Sequence, residues 1–331
     1  MMRIWTLILL GSVAVAGLAA YGAVTFLRDV PGAHVSLDDP VMGGSARNEK
    51  PSKPAKARKN LAQVYKDEVA AIVPHKAIYN IEMVERRSGS QVLNISGQMY
   101  FELKKTCDAW ISDHRFNMLY EYADTPPMRI TSDFATYEQL DGDTFDFTSR
   151  RRRDGTVFQE LRGRATVDSK GGKAVFSKPG GLDYRLSPDI LFPMGHTLAT
   201  LKAARDGKTF LTLPMFDGSD EEGPVDVSVF IGKKINAMDE RSFGTAVDPT
   251  LVNTPAWRMH LAFFPQSNPE PQSDYEMDAV FHDNGMISHM YVTYDEFSVT
   301  QSLVALEKLP VDDCGQGGVA NGNGGRGRSV K

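Results

Sequence analysis

The sequence has little cysteine, with only Cys107 and Cys314 in 331 residues. Two cysteines do not complete a four-ligand structural zinc site, and no histidine cluster lies close to either one along the chain. A structural zinc site is therefore not expected. The two thiols either form one disulfide, which an exported chain favours, or stay unrelated.

Short motifs of common catalytic sites are also missing. The sequence has no Gly-x-Ser-x-Gly, no Gly-x-x-x-x-Gly-Lys-Ser/Thr and no His-Glu-x-x-His. The seven histidines are scattered, and only His282 and His289 flank one turn, where they would offer two metal ligands at most. We therefore predict a non-enzymatic protein with no catalytic residue, no metal and no cofactor.

Positive charge is scarce in the middle of the chain. The segment from Val69 to Cys314 contains 25 Lys and Arg against 36 Asp and Glu, which gives a net charge of −11. Nucleic-acid-binding proteins gain much of their affinity by neutralising phosphates with Lys and Arg. The charge balance therefore argues against a nucleic-acid partner.

One long apolar run lies near the amino terminus. The 24 residues from Ile4 to Leu27 carry no charge and follow Arg3, a pattern typical of an export signal. The length favours a retained membrane anchor, because about 20 apolar residues span a bilayer. Small residues at Gly17–Ala20 favour cleavage instead. Either alternative predicts a periplasmic location, soluble after cleavage or tethered to the inner membrane.

Composition divides the chain into four segments. Residues 1–28 are the signal peptide or anchor, and residues 29–68 are rich in Pro, Gly, Ser, Lys and Ala, which predicts a disordered basic linker. The basic linker either contacts anionic lipid head groups or acts as a solubilising spacer. Residues 69–314 form the predicted folded domain, and residues 315–331 form a predicted disordered Gly-rich tail.

Within the domain, apolar residues alternate with polar ones, which indicates β-strands. The segments with this pattern are Ala77–Met83, Ile95–Leu103, Trp110–Met118, Met128–Tyr137, Thr144–Ser149, Val157–Val167, Lys173–Ser177, Asp183–Leu186, Thr209–Phe216, Val225–Lys233, Trp257–Phe264, Tyr275–His282, Met286–Tyr294 and Phe297–Leu306. Such closely spaced strands predict a mainly β fold.

Three turn dipeptides and one helical segment complete the pattern. Asp141-Gly142, Asp154-Gly155 and Asn284-Gly285 suit tight hairpins, so the flanking strands are expected to be antiparallel. The segment from Gly195 to Arg205 has apolar residues three apart, which predicts a single amphipathic helix that starts near Phe192-Pro193.

Two charged clusters are candidate binding sites. Arg150, Arg151, Arg152 and Arg153 lie next to a predicted hairpin turn, where they would contact phosphates of lipid or lipopolysaccharide or simply discourage edge aggregation. Strand geometry is expected to split these four side chains between two faces. The carboxylates of Asp217–Glu222 would bind a divalent cation or form a solvated acidic turn.

Several segments together resemble the EipB-like cell-envelope integrity family, over about residues 71 to 315. They are Val73-Pro74-His75-Lys76-Ala77 with Tyr79, Gly97-Gln98-Met99 leading to Cys107, Phe192-Pro193 with His196-Thr197-Leu198, Phe216-Asp217-Gly218-Ser219-Asp220, and Cys314-Gly315. The basic linker and the Gly-rich tail depart from the family pattern.

The resemblance implies a periplasmic protein whose long antiparallel sheet curls into a spiral or half-open barrel. It also implies a disulfide between Cys107 and Cys314 and a role in envelope integrity. An envelope protein partner is expected, with a periplasmic tetratricopeptide-repeat protein as one candidate. We therefore expect a binding or scaffolding protein, and the alternative is a carrier of lipid or lipoprotein acyl chains, since curved antiparallel half-barrels commonly hold such ligands.

Overall fold

The computed structural model describes residues 58–240, 242–267 and 272–311. The predicted export signal, the tail and Cys314 lie outside these residues. No helix in the described ranges is long and apolar enough to cross a membrane.

Fourteen strands make up most of the described chain. The first eight are β1 (His75–Arg86), β2 (Val92–Lys105), β3 (Ala109–Tyr122), β4 (Met128–Gln139), β5 (Thr144–Arg153), β6 (Thr156–Asp168), β7 (Gly171–Lys178) and β8 (Asp183–Leu186). The other six are β9 (Phe210–Met215), β10 (Val225–Asn236), β11 (Pro255–Pro265), β12 (Tyr275–His282), β13 (Ile287–Thr293) and β14 (Phe297–Lys308). Each overlaps a segment whose alternation predicts a strand, so the mainly β prediction is confirmed.

All fourteen strands belong to one antiparallel sheet that is not closed. Its order is β8-β7-β6-β5-β4-β3-β2-β1-β14-β13-β12-β11-β10-β9. Strands β1 to β8 form one meander and strands β9 to β14 form another. The two meanders join where β1 pairs with β14, with His75 opposite Lys308 and Arg86 opposite Phe297. The first and last strands therefore lie at the centre of the sheet, and β8 and β9 form its edges.

The predicted hairpin turns are confirmed. Asp141-Gly142 lies between β4 and β5, Asp154-Gly155 between β5 and β6, and Asn284-Gly285 between β12 and β13. Asp154 and Gly155 both have positive φ, 46° and 84°, as a tight two-residue hairpin turn requires.

Helix α3 (Pro193–Arg205) connects the two edge strands β8 and β9. It begins at Pro193, which confirms the predicted start near Phe192-Pro193, and Pro193 occupies the first turn, where the missing N–H is not needed. Leu198 and Leu201 are 1% and 0% exposed and belong to the main core, together with side chains from β1–β3 and β10–β14. The concave side of the sheet is thus packed around this helix.

A second core is dominated by aromatic rings. The Phe145 ring stacks on the Phe192 ring with centroids 5.1 Å apart, and the Phe147 ring meets the Phe176 ring edge-on at 4.9 Å. Phe216 packs against the same rings. This cluster fixes the chain on both sides of α3, because Phe192 precedes the helix and Phe216 follows β9.

Four shorter helices are α1 (Leu61–Val64), α2 (Lys66–Ala71), α4 (Ala237–Glu240) and α5 (Pro249–Val252). The first two correct the predicted domain boundary, because the predicted linker, residues 29–68, is wrong from residue 58 onward. Leu61 is buried against Leu191 and Ala199, and the Arg58 guanidinium donates hydrogen bonds to three backbone carbonyls. These helices are too short to show a periodic pattern in the sequence, and tertiary contacts stabilise them.

Candidate functional site

The side chains of Arg150–Arg153 divide between the two faces of β5, as strand alternation predicts. Arg150 Nη2 lies 3.1 Å from Glu160 Oε1, and Arg152 Nη1 lies 2.7 Å from Asp133 Oδ2. These two arginines pair with carboxylates on neighbouring strands of the outer face. The four guanidinium groups therefore do not share one surface, and their contact with phosphate stays a prediction.

Arg151 points into the protein and is only 6% exposed. Its Nη1 donates to Gln159 Oε1 at 2.8 Å, and its Nη2 donates to the Ser219 carbonyl at 3.1 Å. Burial lowers the pKa of Arg151 to about 10, although the carboxylates of Asp220 and Asp217 favour its charged form. The buried arginine thus ties β5 to the loop that follows β9.

The acidic loop Asp217–Glu222 is not a solvated turn, so that expectation is wrong for its first half. Asp217 is 9% exposed, and its Oδ1 accepts a hydrogen bond from the Ser219 N–H at 2.9 Å. Burial and the neighbouring Asp220 raise the pKa of Asp217 well above its usual range. In residues 58–240, 242–267 and 272–311, no three His, Cys, Asp or Glu side chains are placed to hold a metal ion.

Glu138 is a buried carboxylate that sequence reasoning missed. Its Oε2 accepts from the Met194 N–H at 2.7 Å, and its Oε1 accepts from the Gly195 N–H at 2.8 Å. Burial raises its pKa to about 7, while these two donors and Arg58 oppose the shift. Strand alternation could have identified it. Glu138 is an even number of residues after Ile130, the first buried residue of β4, so its side chain points to the same, inner face of the sheet.

The two histidines that flank the β12–β13 turn do not face each other. His282 is fully buried, with Nδ1 3.0 Å from Thr254 Oγ1 and Nε2 2.9 Å from Ser288 Oγ. His289 lies opposite Val280 instead. Burial lowers the pKa of His282 to about 4, so it is neutral near pH 7 and serves as an internal hydrogen-bonding group.

A cleft of about 620 Å³ opens beside the carboxyl end of α3. Its charged and aromatic lining residues are Arg205, Lys208, Lys233, Lys234, Trp257 and Asp283. Trp257 is 5% exposed and closes the inner side. Sequence reasoning did not single out this cleft, because its residues come from four separate segments of the chain.

Cys107 lies in the turn between β2 and β3, and no described cysteine is a free thiol. Cys314 lies outside the described residues. The pairing of Cys107 with Cys314 therefore stays a prediction.

Comparisons with known proteins agree with this architecture. The chain is 26% identical over 251 residues to the cell envelope integrity protein EipB of Brucella abortus (strain 2308), a match that covers 74% of this chain and 86% of that protein. It is also similar to a crystal structure from Brucella abortus, a beta-barrel-like protein of a domain of unknown function. That match has a TM-score of 0.68 and 24% identity and covers 72% of this chain and 99% of the other.

The structural match supports the fold, a sheet that curls like a barrel without closing. The model of the EipB-like family matches residues 66–310, which include all fourteen strands and α3. The chain belongs to the EipB-like family.

Proposed function

We propose that this domain is a non-enzymatic binding or scaffolding module that contributes to cell-envelope integrity. The observation that carries the proposal is the position of α3, whose Leu198 and Leu201 fill the concave side of the sheet. An acyl-chain carrier needs apolar space on that side, which the helix and the aromatic core occupy here. The arrangement therefore favours binding on the outer surface.

Three buried ionisable groups support the same proposal, because each of the three serves as a structural tie. Glu138 binds the first turn of α3, Arg151 binds the Ser219 carbonyl, and His282 joins Thr254 to Ser288. Shifted pKa values also occur at catalytic sites, but these groups lie apart in the fold and hold different elements together.

The relative's name, cell envelope integrity protein, and the apolar run near the amino terminus support a periplasmic location for this chain. Cell fractionation tests it. A retained anchor keeps the protein with inner membranes after a high-salt wash, because insertion of an apolar helix does not depend on ionic contacts. Cleavage releases it into the periplasmic fraction with a new amino terminus near Ala20. Recovery in the cytoplasm would contradict the proposal.

Native mass spectrometry of the full chain isolated from envelopes tests the scaffolding role. We expect a stoichiometric protein partner, for which a periplasmic tetratricopeptide-repeat protein is one candidate, and no retained lipid. A lipid that stays bound in a one-to-one ratio without a protein partner would favour the acyl-chain carrier instead.

A further inference from the structure

The cleft beside the carboxyl end of α3 concentrates positive charge on an otherwise acidic domain. Among its lining residues, Arg205, Lys208, Lys233 and Lys234 are cationic, and only Asp283 is anionic. The segment from residue 69 to residue 314 has a net charge of −11. The lining residues therefore carry a net charge of +3, which makes the cleft locally positive within a domain of net negative charge.

A β-bulge places two of the lysines in the cleft. The pairing of β10 with β11 shifts register between Ile231 and Lys234, so two consecutive side chains escape the usual alternation. Lys233 and Lys234 both line the cleft as a result. Lys234 lies opposite Trp257, with its Nζ 5.9 Å from the centre of the indole ring.

The two carboxylates beside the cleft pair with Arg205 and not with its lysines. Arg205 Nε lies 2.6 Å from Asp283 Oδ1, and Arg205 Nη1 lies 3.0 Å from the buried carboxylate of Glu68. Lys208, Lys233 and Lys234 have no ion pair within the described part of the chain. The three ammonium groups are thus free to bind an external anion.

We propose that this cleft binds a phosphate-bearing anion, with Lys208, Lys233 and Lys234 around the phosphate and Trp257 against its organic part. Lysine is a common phosphate ligand as a point charge, and 620 Å³ suits a small organic molecule better than a bare ion. The carboxyl end of a helix disfavours anions, so the lysines supply the attraction. This inference deepens the proposed binding role and rests on it.

The phosphate has two candidate sources, a phospholipid head group or a soluble phosphate ester. Phe210 follows Thr209 of the cleft lining in sequence and Phe230 precedes Ile231, and each phenylalanine is about half exposed on the outer face of β9 and β10, at the edge of the sheet. Their ring centres are 4.7 Å apart. A lipid surface would also engage this aromatic pair, whereas a soluble ester would not.

The first experiment is calorimetric titration of the full chain with sn-glycerol 3-phosphate at low ionic strength. We expect saturable binding that weakens with added salt. The double variant Lys233→Gln/Lys234→Gln should bind at least about tenfold more weakly. Lys170→Gln/Lys173→Gln is the matched control, because it removes the same charge from a different cleft, between β7 and β8. This control should bind like the wild type.

Vesicle flotation distinguishes the two sources. Vesicles of phosphatidylglycerol and phosphatidylcholine are compared with phosphatidylcholine alone, and the wild type is compared with Phe210→Ala/Phe230→Ala and with the Lys233/Lys234 variant. Loss of anionic vesicle binding in both variants identifies a lipid head group. Saturable binding of glycerol phosphate with no variant effect on vesicles identifies a soluble ester.

Two results would overturn the site. One is no saturable binding of glycerol phosphate together with equal vesicle binding by the wild type and the Lys233/Lys234 variant. The other is an equal loss in the Lys170/Lys173 control, which would indicate a non-specific charge effect. Neither result bears on the protein partner sought by native mass spectrometry, so the failure of the site and the failure of the scaffolding role are distinguishable.

Discussion

The carboxylate of Glu138 on β4 accepts a hydrogen bond from the backbone N–H of Gly195 in the first turn of α3, at 2.8 Å. The same carboxylate accepts a second bond from the Met194 N–H. Both N–H groups lie in the first turn of α3, where backbone N–H groups have no acceptor within the helix. A side chain 56 residues earlier than Met194 therefore completes the first turn of α3 and fixes the helix against the sheet.

Glu138 makes stability depend on pH. Burial raises its folded-state pKa to about 7, compared with 4.5 for the free side chain. Between these values the folded state holds a proton that the unfolded state has released, so stability falls as pH rises through this window. We expect the free energy of unfolding of the wild type, relative to Glu138→Gln, to fall by on the order of 3 kcal/mol across it.

Urea unfolding at pH 4.5, 6 and 7.5 for both proteins measures this difference. The subtraction cancels groups that titrate alike in both chains. A wild-type advantage that grows with pH would contradict the prediction, and it would mean that the two N–H donors and Arg58 outweigh the cost of burying the charge.

The packing of α3 predicts a large difference between two otherwise identical substitutions. Leu201 is fully buried in the main core, whereas Leu93 on β2 is 47% exposed. Leu201→Ala should lower the free energy of unfolding by about 2–5 kcal/mol, and Leu93→Ala should change it by less than about 0.5 kcal/mol. Chemical denaturation of the two variants checks this, and equal effects would contradict a helix packed in the core.

Gly97 brings the backbones of β2 and β3 close together. A Cβ at this position would lie 2.3 Å from the Asn117 carbonyl oxygen and 2.9 Å from the Met118 Cα. Gly97→Ala should therefore destabilise the domain by about 2 kcal/mol, because backbone atoms must move. Gly180→Ala is the control, since a Cβ added at Gly180 would have no heavy atom within 4 Å apart from its chain neighbours. Thermal unfolding of both variants tests the contact, and equal melting temperatures would refute it.

The predicted disulfide between Cys107 and Cys314 would close a loop of 206 intervening residues. On the chain-entropy model a loop of this length contributes on the order of 5 kcal/mol as an upper limit. Cys107→Ser should lower the melting temperature by several degrees, and Cys107→Ser/Cys314→Ser should match either single variant. Two reactive thiols per chain in freshly isolated periplasmic protein would rule the bridge out.

Local patterns predicted the strands well and the long-range contacts poorly. Alternation is a property of consecutive residues, so a strand such as β2 or β12 can be predicted from its own segment alone. The pairing of His75 with Lys308 has no local signature, and here the family resemblance implied the curled sheet. The cleft at Trp257 forms between the end of α3 and a bulge in β10. The pattern of apolar residues predicts neither the bulge nor the packing of α3 against the sheet.

The central position of β1 has a consequence for the order in which the sheet assembles. A chain that emerges amino-terminus first can pair β1 to β8 one hairpin at a time, because each strand meets its neighbour in sequence. One side of β1 nevertheless has no neighbour until β14 arrives more than two hundred residues later. During that interval a central strand behaves as an exposed edge, the kind of surface on which misfolded chains associate. The last strand of the described chain thus protects the first.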